Sequence, residues 1–172
     1  LTSTCAVTSV AAAQPQAGSA LRMGEISYPF EGTIGKGPAA QRGTLSMVVV
    51  HKLASSGFDV KSGAPKRVSQ ISGQQVPVTC GEGEDAFESA VSFTLPRAYK
   101  LRGKNLNVAA KFKAVRSYRD LNDRQLRVVV RGKLTKRGKR AKGTVTIVSS
   151  STSGGSTCRA EKTPWSARRA NG

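Results

Sequence analysis

Residues 86–95 read AFESAVSFTL, with Phe87, Ser89, Val91, Phe93 and Leu95 on one parity and Glu88, Ala90, Ser92 and Thr94 on the other. A period of two is the signature of a strand that packs one face on a core and leaves the other wet. The same pattern recurs downstream. Residues 104–118 (KNLNVAAKFKAVRSY) place Leu106, Val108, Ala110, Phe112 and Ala114 inward with Asn107, Lys111 and Lys113 outward. Residues 125–134 (QLRVVVRGKL) place Leu126, Val128 and Val130 inward with Arg127 and Arg131 outward. One wet face on each implies antiparallel pairing. Residues 144–150 (TVTIVSS) add Val145 and Ile147.

Upstream, FEGTIG gives Phe30 and Ile34 to one face and stops at Gly35-Lys36-Gly37-Pro38. GTLSMVVVHKL sets Leu45, Met47 and Val49 against Val48 and Val50, so its centre reads as buried on both sides. Two shorter strands follow: KRVSQISG with Val68 and Ile71, and QQVPVTC with Val76, Val78 and Cys80. Pro77 cannot donate to a ladder, which puts the second at an edge or turns its nitrogen outward. SYRDLNDRQ suits a turn or a single helical turn. Short strands at this spacing, with turn residues between, predict an all-β fold: one antiparallel β-sandwich or flattened barrel of about seven to nine strands.

The chain has 172 residues, enough for one ordinary domain, and its 38% hydrophobic share with 18 Gly and 5% aromatics points to a turn-rich core of Val, Leu, Ile and Ala. The opening LTSTCAVTSVAAAQPQAGSA has no charge and only small side chains around Ala11-Ala12-Ala13. Residues 1–20 therefore read as a signal-peptide remnant or a disordered leader, and 21–172 as a single β-rich domain. Cys5 lacks the Leu three residues before it that lipid attachment favours. No apolar run reaches the roughly 18 residues a spanning helix needs. The net charge of +18 calls for acidic partners.

A strand, a second strand carrying Gly132, a basic hairpin ending in Gly143-Thr144-Val145, a Ser/Gly loop, and then Cys158 and the terminal Trp165-Ser166-Ala167-Arg168 follow one another. In that order, residues 30–169 resemble the small secreted β-rich domains of unknown function found in actinobacteria and their soil relatives. The resemblance implies a secreted or cell-surface protein, with Cys80 as the partner of Cys158, and implies no activity. Cysteine counting bears on the same pair. Three Cys occur, and setting Cys5 aside with the leader leaves Cys80 and Cys158, which a secreted chain joins, although two inert thiols or a reactive thiol fit the count as well. Without a CxxC spacing, and with one histidine, neither a redox pair nor structural zinc is indicated, and no metal or cofactor is expected.

The densest chemical signal is RGKLTKRGKRAKG, with Arg131, Lys133, Lys136, Arg137, Lys139, Arg140 and Lys142 around a turn at Gly138. It reads either as a clamp for acidic cell-wall polymers or other polyanions, or as a solubilising turn. Trp165 with Arg168 forms a possible ligand platform, and core packing is the competing role for the tryptophan. His51 reads as a strand-end residue. The acids Glu82, Glu84, Asp85 and Glu88 read as counter-charges, or as a loose calcium site without EF-hand spacing. The reading that follows is a secreted, non-enzymatic envelope or extracellular module that binds acidic polymers. A glycan or ester hydrolase would need those acids, or Asp120 and Asp123 of RDLND, to meet His51 or a hydroxyl in a pocket. A non-specific nucleic-acid binder would need cations from several strands in one groove, with Trp165, Tyr99 or Tyr118 exposed among them.

Overall fold

The structure is a computed structural model that describes residues 24–38, 41–56, 59–103, 109–120, 123–135, 138–151 and 155–170. The leader, together with Leu106 and Val108, lies outside them. Nine strands form one antiparallel sheet: β1 (Glu25–Ile34), β2 (Gly43–Ser56), β3 (Asp59–Cys80), β4 (Phe87–Leu95), β5 (Tyr99–Lys100), β6 (Lys111–Arg119), β7 (Arg124–Leu134), β8 (Arg140–Ser151) and β9 (Cys158–Arg169). The order across the sheet is β4-β3-β2-β1-β9-β8-β7-β6, with β5 added to β3. A second pairing, Thr79 with Arg159 and Cys80 with Cys158, joins β3 directly to β9. The sheet is thereby partly closed into a ring through β1, β2, β3 and β9, without becoming a full barrel.

The alternation decides which side is covered. Val91, Phe93 and Leu95 are buried, as are Phe112, Ala114, Leu126, Val128, Val130, Val145 and Ile147. They merge with Phe30, Ile34, Leu45 and Met47 into one core. The two free edges, β4 and β6, are drawn together where the Arg116 guanidinium donates to the Thr94 carbonyl at 2.9 Å. Phe87 departs from its pattern and is 53% exposed. It stands opposite Cys80 at the first position of β4, past the end of the packed row.

The two short strands expected over 66–73 and 74–80 are one strand. Between Gly73 and Val76 the register slips, and Gln75 takes a left-handed φ of 53°, so a bulge absorbs the extra residue without ending the strand. Pro77 lies beyond Gln74, the last β3 residue paired with β2 on this side, so a missing donor facing that way breaks no bond. In the stretch read as a turn or a single helical turn, Leu121 and Asn122 lie outside the described residues; on either side of them the Asp120 carboxylate accepts from the Arg124 amide at 2.9 Å, and Asp123 has a φ of 58°. The two-residue β5 has no counterpart in the periodicity.

Cys80 and Cys158 are bonded across the β3–β9 pairing, 78 residues apart in sequence and both buried. Chain-entropy reasoning gives such a loop about 4 kcal/mol of stabilisation. Replacing both by Ser should lower the denaturant-unfolding free energy by about that amount. A change too small to resolve would show that strand pairing alone holds the ring shut.

Candidate functional site

The outward faces of β6, β7 and β8 carry cations in register. Lys111 pairs with Lys133, and Lys113 with Arg131. Lys133 also pairs with Lys142, and Arg140 with Arg168. Residues directly opposite in an antiparallel ladder have Cα atoms about 4.5–5.5 Å apart, and like charges there repel. Among the described residues the ion pairs lie elsewhere, at Glu25 with Lys66 and Arg67 and at Arg119 with Asp123. The three strands β6, β7 and β8 contain no acidic residue. The rungs of Lys111, Lys133 and Lys142 and of Lys113 and Arg131 therefore form a cationic lattice with no acidic residue on their own strands.

Between the two cation rows runs a lane of small residues, Gly132 opposite Gly143. A Cβ at residue 132 would stand 2.5 Å from ring atoms of both Phe112 and Trp165, so only glycine lets the two aromatics close beneath the lane. Their ring centroids are 6.1 Å apart at a 40° tilt. Over this floor opens a groove of about 860 Å³. One wall is the start of the β1–β2 connection, where Gly35 and Gly37 have left-handed φ values of 113° and 98°. That wall is tied down by the Gly35 amide donating to the Pro164 carbonyl at 2.9 Å and by Arg42 Nε donating to the Gly37 carbonyl at 2.6 Å. Lys36 and Arg42 face the groove from there, and Lys111, Lys113, Arg131, Lys133 and Lys142 from the strands. No carboxylate lines it.

Of the seven basic residues singled out in the sequence, Arg131, Lys133 and Lys142 line the groove. Lys139 and Arg140 are exposed but outside the lining, and Lys136 and Arg137 fall outside the described residues. Trp165 borders the groove yet is 3% exposed, and its indole nitrogen has no partner. Arg168 is exposed and paired with Glu31 and Arg140 away from the groove, while Arg169 covers Tyr28 instead, 3.1 Å from the ring centroid. Lys36, Arg42, Lys111 and Lys113 were not among the candidates. For the last two a signal existed: pairing β6 with β7 as an antiparallel hairpin sets Lys111 beside Lys133.

No protein-family profile, characterised protein or solved structure matches this chain. The site has to be read from its own chemistry. Glu82, Glu84, Asp85 and Glu88 are exposed around the β3–β4 turn and outside the groove. Among the described residues no three His, Cys, Asp or Glu side chains gather where a metal could sit.

His51 is more than a strand-end residue: it is 3% exposed and lies under the basic hairpin. Gly138, at φ 61°, is buried against it, so close that a Cβ would come within 2.9 Å of His51 Cε1. The Gly63 carbonyl accepts from His51 Nδ1 at 2.9 Å, which leaves Nε2 as a buried acceptor without a partner. Tyr28 meets the ring edge-on at 5.1 Å. Burial pushes the imidazole pKa below its ordinary 6.5; the Gly63 bond opposes this and the charge of Arg169 adds to it. The folded state thus favours neutral His51, while the unfolded chain takes up a proton near pH 6.5. Stability contributed by the neutral ring is present above pH 6.5 and is lost as pH falls from there toward the lowered folded value. Urea midpoints should accordingly drop between pH 7 and 5.5, and His51→Phe should flatten that drop. An identical pH slope in the variant would assign the acid sensitivity to other groups.

Proposed function

We infer that this chain is a non-enzymatic binding module of the cell envelope or extracellular space, and that its groove holds acidic polymers. The observation that carries the reading is a single groove lined by seven cations and no carboxylate. Such a wall concentrates polyanions and gains free energy from the counterions they release. The buried Cys80–Cys158 bond supports an oxidising compartment, and the resemblance to secreted actinobacterial domains points the same way. No described helix is long and apolar enough to cross a membrane.

Hydrolysis of a glycan or ester finds less support, because His51 is enclosed beneath the hairpin and the acids of 81–88 stand outside the groove. A nucleic-acid reading has one of its two requirements, cations from several elements in one groove. It lacks the other: Trp165 and Phe112 are buried, and Tyr99 and Tyr118 do not line the groove, so bases have no exposed ring to stack on.

Changing Lys111, Lys113, Arg131, Lys133 and Lys142 to Gln should weaken binding to heparin and to anionic wall polymer. It should also flatten the slope of log K against log salt by roughly 0.7 for each lost contact with a flexible strand. A matched variant, with Lys52, Arg97, Lys100, Arg124 and Arg159 changed to Gln, carries the same net charge and should retain most of the affinity. Equal losses in the two would reduce the reading to diffuse charge. Because Lys133 opposes two lysines, Lys133→Gln should also raise the melting temperature while it lowers affinity, the exchange of stability for binding that sites built from repelling groups display. A lowered melting temperature would count against a lattice held under repulsion.

A further inference from the structure

The spacing and chemistry of the lattice narrow the ligand class. Its cations stand on two rungs: Lys111, Lys133 and Lys142 on one, Lys113 and Arg131 on the next. Alternate residues of a strand are about 6.7 Å apart, so two rungs demand anions repeating at no more than that distance. A glycan with one carboxylate on every second sugar spaces its charges too widely to meet both. Each rung also presents two or three cations side by side, so one anion must satisfy several donors approaching from different directions. A tetrahedral phosphate does this with oxygens that diverge, whereas the two oxygens of a carboxylate share a plane and suit the planar fork of arginine. Four of the five cations on the rungs are lysines, point charges that serve phosphate without requiring a planar partner.

We propose that the groove is a site for a linear phosphate polymer recognised through its phosphates alone, with phosphates of one chain seated on both rungs of β6–β8. This rests on the reading of the groove as an acidic-polymer site and names its ligand. The buried floor argues for a chain without aromatic bases: Gly132 and Gly143 offer a lane for a thin backbone, and no exposed ring is available to a flat base. Lys36 and Arg42 on the wall add to the positive field of the groove.

Calorimetric titration of the whole chain with orthophosphate, tripolyphosphate, long-chain polyphosphate, hyaluronan and oligothymidylate tests the proposal. Tripolyphosphate should bind at least tenfold more tightly than orthophosphate, because it spans both rungs. Hyaluronan should bind at least tenfold more weakly than long-chain polyphosphate at equal anion concentration, and oligothymidylate no more tightly than polyphosphate. The pair Lys113→Gln with Arg131→Gln, which empties one rung, should remove the advantage of tripolyphosphate over orthophosphate while leaving circular dichroism and the disulfide unchanged. Hyaluronan equal to polyphosphate, with both lost in the fivefold Gln variant, overturns the phosphate assignment and leaves the acidic-polymer reading standing. Tighter binding of oligothymidylate overturns it in favour of base recognition. If polyphosphate binds the fivefold variant as well as the parent, both this proposal and the reading beneath it fail.

Discussion

The contact on which the rest of the molecule depends is the short pairing of Thr79 and Cys80 with Arg159 and Cys158. A nine-stranded antiparallel sheet left open would bury its apolar face only if something else covered it. Joining the end of β3 to the start of β9 curls the sheet, so that Val78, Phe93 and Leu95 from the first half share a core with Val128, Val145 and Ile147 from the second. Strand pairing over two residues is a weak lock by itself. A covalent bond across a 78-residue separation makes it durable, because it removes the open forms from the unfolded ensemble. The approach of the two remaining edges, with Arg116 reaching Thr94, follows from that curl.

On the opposite face of the same strands, local chemistry and stability conflict. Every inward position of β7 from Leu126 to Leu134 is apolar or glycine and packs well, while outward positions on β6, β7 and β8 set lysines and arginines directly across from one another. A fold selected only for stability would place carboxylates among them. Repulsion at these sites is tolerable because the inner face carries the packing and because exposed charges are screened by solvent and salt. The glycine lane belongs to the same compromise, since it costs strand propensity at Gly132 and Gly143 and, at Gly132, yields a close fit to the buried Phe112 and Trp165.

Much of the architecture was readable from particular residues. The parities of Val91-Phe93-Leu95, of Leu126-Val128-Val130 and of Val145-Ile147 pointed to their buried faces, since side-chain direction in a strand follows from backbone geometry within a few residues. Cys80 and Cys158 were the two cysteines outside the leader. The continuity of β3 was not readable, because Gly73 and Pro77 look like breakers and the bulge that carries the strand past them shows only as the left-handed Gln75. Nor was the enclosure of His51, which depends on a hairpin tip folding down from more than eighty residues along the chain.

By itself, then, the sequence determined the strand faces, the surplus of positive charge and the cysteines available for a bond, all of which are properties of single residues or of short windows. Tertiary structure decided which charges became neighbours. Lys36 and Arg42 share a groove with Lys113 and Arg131 because β1 returns to pair with β9, and β9 passes the sheet on through β8 and β7 to β6. Strand order and register arise from long-range pairing and a shared core, and a local alternation carries no record of either. The basic hairpin was visible as a run of charge; the groove exists only where the β1–β2 connection, β6, β7 and β8 bring their cations to one floor.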